Sequence, residues 1–241
     1  MANGPVDLTG IDVVIFDKDG TLIDFHAMWG GWARDLGARL DAGIRRPVSL
    51  DVFAAIGFDP ASGRVSPSSE LATGTMAGIE ETVARVLRRY CPSIAAARRA
   101  TEAAWSVPDP VALAVPIADL PRIVEQLRDG GRRLAVVTTD DRAPTDATLR
   151  ALGIRSAVGA MVCADDGFPL KPEPDPVFAV CQAFRVEPRQ AAVIGDTPAD
   201  LAMGRAAGAG RVIGVRSGLG DDADLVDADV LLDSIADLLS D

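Results

Sequence analysis

Short, unbroken apolar runs recur along this chain, each ending abruptly in polar residues or glycine. Val13-Val14-Ile15-Phe16 runs into Asp17, Leu134-Ala135-Val136-Val137 into Thr138, and Ala191-Ala192-Val193-Ile194 into Gly195-Asp196. Ala160 to Cys163, Arg211 to Val215 and Asp229 to Leu232 complete the series. Runs this short, without polar alternation, predict strands covered on both faces, as in a parallel sheet. Between them the spacing becomes helical. Leu120 to Arg128 has a helical pattern closed by Gly130-Gly131. Pro176 to Phe184 repeats apolar residues at Val177, Val180, Cys181 and Phe184, with Asp175 as the expected N-cap and Pro176 as the first helical residue. Strands alternating with helices predict an α/β fold built on a doubly wound, mostly parallel sheet. In such sheets ligands gather at the carboxyl ends of the strands.

Residues 25–110 break the alternation. They hold helical patterns at Ile79 to Tyr90 and Ile94 to Trp105, a loop-like middle from Asp59 to Ser69, and no convincing strand. We expect a small all-helical domain over 25–110, inserted after the first strand into a core of residues 1–24 and 111–241. Val107-Pro108-Asp109-Pro110 is the expected return linker.

The 241 residues are ample for such a core plus an insert. A net charge of −11 argues against nucleic acid and anionic membranes as partners. It also means that an anionic substrate would need a cation in its site. Cys91, Cys163 and Cys181 are odd in number and far apart, which argues against a disulfide framework or structural zinc and fits a reducing compartment. No signal-peptide pattern opens the sequence and no apolar stretch reaches membrane-span length, so the cytoplasm is the expected location.

The chemistry-bearing residues sit at the predicted strand ends. In Asp17-Lys18-Asp19-Gly20-Thr21, an extended chain would put Asp17 and Asp19 on one side with Lys18 pointing away. One carboxylate could attack phosphorus and the other transfer the proton. The bland alternative is an Asp-Gly turn after a strand. Thr138 and Thr139, before Asp140 and Asp141, offer hydroxyl and N–H groups to a phosphoryl oxygen, or cap a helix. Lys171, in the proline-stiffened Lys171-Pro172-Glu173-Pro174, could fix a cation near phosphate, or simply be solvated. Asp196 follows the fourth strand as a possible metal ligand. Asp200 could orient Lys171 or a metal's water, or only complete a capping box with Thr197. Converging carboxylates repel unless a cation joins them, and few protein carboxylates with hard oxygens suit Mg2+.

The ordered set resembles the haloacid dehalogenase superfamily of phosphatases across nearly the whole chain. Its motifs appear as Asp17-Lys18-Asp19-Gly20-Thr21, Val136-Val137-Thr138-Thr139, Lys171-Pro172, and Gly195-Asp196 through Asp200. Lys171 to Asp175 and Gly204-Arg205-Ala206-Ala207-Gly208 look like the phosphoglycolate phosphatase branch, as does the helical insert between the first two motifs. The resemblance implies a Rossmann-like core with a helical cap that closes over the site and supplies substrate contacts. It implies Asp17 as nucleophile and Mg2+ ligand, and Asp19 as acid/base that ligates metal through its backbone carbonyl. It assigns Thr138 and Lys171 to the phosphoryl group, Asp196 to Mg2+ and Asp200 to its support. The implied substrate is a small phosphorylated metabolite.

His26, with Trp29 and Trp32 nearby, and Arg64 in its Gly63-Arg64 loop are candidate substrate contacts, although packing or solvation explains each equally simply. Two other functions share the motifs. A phosphosugar mutase would return the phosphoryl group to a sugar, and a silent binding protein would have lost a motif carboxylate. None is lost here, and retention of Asp19 argues against a dehalogenase.

Overall fold

The computed structural model describes residues 6–239. The chain divides into two compact units, one comprising the residues up to Phe25 and from Pro110 onward, the other His26–Asp109.

The first unit is built on a six-stranded sheet among the described residues, in the order β3-β2-β1-β4-β5-β6, with every pairing parallel. The strands are β1 (Val13–Phe16), β2 (Arg133–Val137), β3 (Val158–Val162), β4 (Ala191–Gly195), β5 (Arg211–Val215) and β6 (Val230–Leu232). They fall on the apolar runs because both faces are covered. Val14, Phe16, Leu134, Val136, Ala192 and Ile194 face one apolar layer, and Val13, Ile15, Ala135, Val137 and Val193 the other. Helices α6 (Leu120–Asp129) and α7 (Arg142–Ala151) supply Leu120, Ile123, Leu127 and Leu149 to the first layer. Helices α8 (Asp175–Phe184) and α9 (Pro198–Ala207) supply Val177, Val180, Met203 and Ala207 to the second. The sheet is therefore doubly wound, as the apolar pattern predicts. The strand order reverses at β1 and β4, and at such a switch point ligands bind outside the carboxyl ends of the strands.

The start of α8 differs from expectation, and the helix expected over Ile79 to Tyr90 is Met76–Leu87. Asp175 is the first residue of α8, not its N-cap; that position belongs to Pro174, which has no side chain to cap with. Asp175 instead contributes an acid to the first turn.

In the second unit the regular elements are helices: α1 (Phe25–Ile44, its first residue belonging to the other unit), α2 (Ser49–Ile56), α3 (Glu70–Thr73), α4 (Met76–Leu87) and α5 (Ile94–Ala104). One isolated bridge, Phe58 with Val65, pins the loop between α2 and α3. Trp29 and Trp32 of α1 are buried and stack edge-to-face, as do Trp32 and Trp105, and the Trp32 indole N–H donates to the Ser106 carbonyl at 2.7 Å. Both tryptophans thus serve packing. Among the described residues no helix is long and apolar enough to cross a membrane.

Candidate active site

Asp17 is the first residue beyond β1, and its backbone N–H donates to the Ile194 carbonyl of β4 at 2.9 Å. With Phe16 in register with Ile194, this bond closes the two strand ends together and sets Asp17 beside Asp196. The chain then turns at Gly20, where φ is +93° and a Cβ would lie 2.3 Å from Asp196 Oδ2. Only glycine fits there. Asp196 is fully buried and accepts from the Leu219 N–H at 2.8 Å and the Thr21 hydroxyl at 3.3 Å.

Asp200 stands in the first turn of α9. Thr197 caps that helix, and its N–H and hydroxyl both donate to Asp200 Oδ2, at 3.1 and 2.6 Å. The capping box expected from the sequence is real, but it engages only one oxygen. Asp200 Oδ1 is buried and faces Lys171 Nζ at 2.7 Å, as an ion pair off the line of a good hydrogen bond. Lys171 Nζ also hydrogen-bonds Asp17 Oδ1. One oxygen from each of Asp17, Asp196 and Asp200 lies within 4.8 Å of the others.

Burial pushes the Asp17 carboxyl up to about 7; Lys171 opposes this, and Asp200 and Asp19 add to it. Burial, with Asp17 and Asp200 alongside, also raises Asp196 well above the usual carboxylate range. Burial works against the Lys171 charge, yet Asp17 and Asp200 outweigh it and hold Lys171 above the ordinary lysine range. Three crowded carboxylates therefore face one ammonium. Hard oxygen donors, negative charge in excess, and an Asp200 oxygen lacking a well-directed donor suit a hard divalent cation.

Thr138 follows β2 and is buried; its hydroxyl accepts from the Asp140 N–H at 3.1 Å. Thr139, next to it, is half-buried. Asp19 lies near enough for its charge to raise Asp17. Its carboxylate is not in the three-oxygen cluster but meets Lys18 Nζ at 2.6 Å.

Lys18 corrects the extended-chain argument. The strand ends at Phe16, so side-chain alternation does not carry through the bend that follows. Instead of pointing away from Asp19, Lys18 is 1% exposed and lies between Asp19 and Asp140, the latter at 3.0 Å. Burial disfavours its charge, but these carboxylates keep it above the ordinary lysine range. Burial raises Asp140 in turn, against the pull of Lys18.

Gly218 also escaped sequence reasoning. A Cβ there would meet Asp196 Oδ2 at 1.9 Å. The only sequence signal was its place in the glycine-rich segment after β5. The Ser217 hydroxyl in the same segment donates to the Gly20 carbonyl at 2.9 Å and ties it to the first turn. His26 and Arg64 belong to the helical unit and are both exposed.

Comparison with known proteins gives the same family as the motifs. The chain is 31% identical over 210 residues to a phosphoglycolate phosphatase of Rhodospirillum rubrum, covering 81% of this chain and 76% of that one. It is 27% identical over 228 residues to a validoxylamine A 7'-phosphate phosphatase of Streptomyces hygroscopicus subsp. limoneus, covering 94% and 95%. In structure it is similar to a beta-phosphoglucomutase from Clostridium difficile, with a TM-score of 0.64 over 95% of this chain and 93% of that one. At 17% identity that likeness speaks for the fold alone. The family model for haloacid dehalogenase-like hydrolases matches residues 11–208. This chain belongs to the haloacid dehalogenase-like hydrolases.

Proposed function

We propose that this chain is a Mg2+-dependent phosphatase of a small, phosphoglycolate-like phosphate monoester, working through an aspartyl-phosphate on Asp17. The observation that carries this reading is the convergence of Asp17, Asp196 and Asp200 around Lys171 Nζ at the carboxyl ends of β1 and β4. The names of both sequence relatives, each a phosphatase, favour transfer to water over return to a sugar.

In the first step an Asp17 carboxylate oxygen attacks phosphorus and the bond to the ester oxygen breaks. Asp19 gives that oxygen its proton and the alcohol leaves. In the second step water attacks the same phosphorus, Asp19 takes its proton, and the Asp17–phosphorus bond breaks to release inorganic phosphate. Lys171 and Thr138, with Thr139 beside it, hold the phosphoryl oxygens. Lys171 is kept in place by Asp200, which Thr197 in turn fixes. Asp17, Asp196 and the Asp19 carbonyl would hold Mg2+, with Asp200 in support. The ion would supply positive charge where the phosphoryl group develops negative charge. His26 and Arg64 are candidate substrate contacts from the helical unit.

A panel of phosphorylated metabolites, assayed with and without Mg2+, tests the reading. Release of inorganic phosphate that requires the metal is expected. Appearance of a phosphosugar isomer would favour the mutase, and no turnover of any substrate would favour a binding protein.

A further inference from the structure

A lysine with almost no exposure beside a reaction centre calls for a reason. Burying an ammonium carries a desolvation penalty even after relaxation, and an apolar residue could fill the same volume without it. Lys18 sits in the turn between Asp17 and Asp19, with Nζ 2.6 Å from Asp19 Oδ2 and 3.0 Å from Asp140 Oδ2. Asp140 is itself anchored. Its N–H donates to the Thr138 hydroxyl at 3.1 Å, and its carbonyl accepts from the Ala164 N–H at 2.9 Å. The ion pair therefore ties the Asp19 carboxylate to the rigid end of β2, next to the proposed phosphoryl-binding Thr138.

We propose that Lys18, braced by Asp140, is a positioning residue that fixes the Asp19 carboxyl for proton transfer to the leaving oxygen. This rests on the phosphatase reading, in which Asp19 is the acid. Lys18 touches no reacting atom. Its contribution is an ion pair that ties the Asp19 carboxylate, through Asp140, to the end of β2.

The consequence is a dependence on the leaving group. An alkyl phosphate expels a strongly basic alkoxide and needs the proton as the bond breaks, whereas 4-nitrophenyl phosphate expels a stable anion that hardly needs it. The value of kcat/KM reports only the steps through departure of the leaving group, so it isolates this proton transfer. Lys18→Met should lower kcat/KM about 10²-fold for the alkyl phosphate that wild type turns over fastest, the order expected for a misplaced catalytic group. For 4-nitrophenyl phosphate the loss should stay within about threefold, since little general-acid contribution is there to lose. Asp19→Asn should show the same selectivity, and Lys18→Met combined with Asp19→Asn should be no worse than Asp19→Asn alone. Should Lys18→Met misfold by stranding the Asp140 charge, Lys18→Met with Asp140→Asn removes both charges and is read in the same way. Equal losses on both substrates, no loss on either, or additive losses in the double variant would overturn the positioning role while leaving the phosphatase reading intact. A wild-type protein inert toward every phosphate monoester would overturn that reading and this proposal with it.

Discussion

Gly218→Ala is a stringent probe of how tightly the carboxylate cluster is held. The Gly218 backbone lies outside the left-handed region, so alanine adds no backbone strain and the effect is steric. Its Cβ would lie 1.9 Å from Asp196 Oδ2, 2.3 Å from Cγ and 2.6 Å from Cβ. Ordinary contacts need roughly 3.5 Å, so the carboxylate must move by about 1.5 Å. The neighbours resist that movement, because Oδ2 accepts from the Leu219 N–H at 2.8 Å and Gly20 closes the other side. Overpacking costs about 1–3 kcal/mol, and a stranded buried N–H about 1–3 kcal/mol more. A domain with about 5–15 kcal/mol of stability should survive this. Displacing Asp196, the proposed metal ligand, by more than about 1 Å should nevertheless lower kcat/KM about 10²-fold. The assay is phosphate release over a Mg2+ titration, with urea unfolding as the control on folding. A folded Gly218→Ala protein with wild-type kcat/KM and wild-type Mg2+ half-saturation would refute the placement of Asp196 as a ligand.

Other predictions follow from the same geometry. Asp17 and Asp196 are raised carboxylates, so metal-free folded protein binds more protons than the unfolded chain. Its stability should therefore fall as pH rises from about 4 through about 7, and the thermal shift produced by Mg2+ should be larger at about pH 8 than at about pH 6. An equal or smaller shift at the higher pH, read by calorimetry, would contradict this. Thr197→Ala removes the side-chain cap of α9 and the hydroxyl donor to Asp200 while keeping the backbone N–H, so urea unfolding should show a loss of about 1–2 kcal/mol. No loss would mean that the box does not support the helix. Cys163 and Cys181 are buried, and burial pushes the Cys163 thiol up to about 11 and the Cys181 thiol in the same direction. In native protein a thiol reagent should label Cys91 first and leave the other two until denaturant is added. Rapid labelling of all three would refute their burial.

The parallel strands were legible because their burial on both faces leaves uninterrupted aliphatic runs such as Val13 to Phe16 and Ala191 to Ile194. Three of the proposed site residues, Asp17, Thr138 and Asp196, were legible for a related reason, since each directly follows such a strand at the carboxyl edge of the sheet. Helix α1 was harder to see. Gly30, Gly31, Gly37 and Gly43 interrupt it, although Phe25, Met28, Trp29, Trp32, Leu36 and Leu40 carry the helical spacing and are buried. At Gly37 the reason is packing, because a Cβ would lie 2.3 Å from the Phe53 ring of α2. Lys18 and Gly218 were not legible, because their roles arise from a bend and from a loop that returns from β5. Neither leaves a periodic trace. The substrate was not legible either, since the proposed substrate contacts His26 and Arg64 are exposed positions that no core pattern constrains.

The most direct test of the central claim is the turnover of Asp17→Asn in saturating Mg2+. Asparagine is nearly isosteric and relieves a crowded buried charge, so the variant should fold at least as stably as wild type. Loss of the nucleophile should lower kcat by about 10⁴-fold or more, in line with other covalent catalysts. A folded Asp17→Asn protein that releases phosphate within about tenfold of the wild-type rate would show that Asp17 does not carry the phosphoryl group.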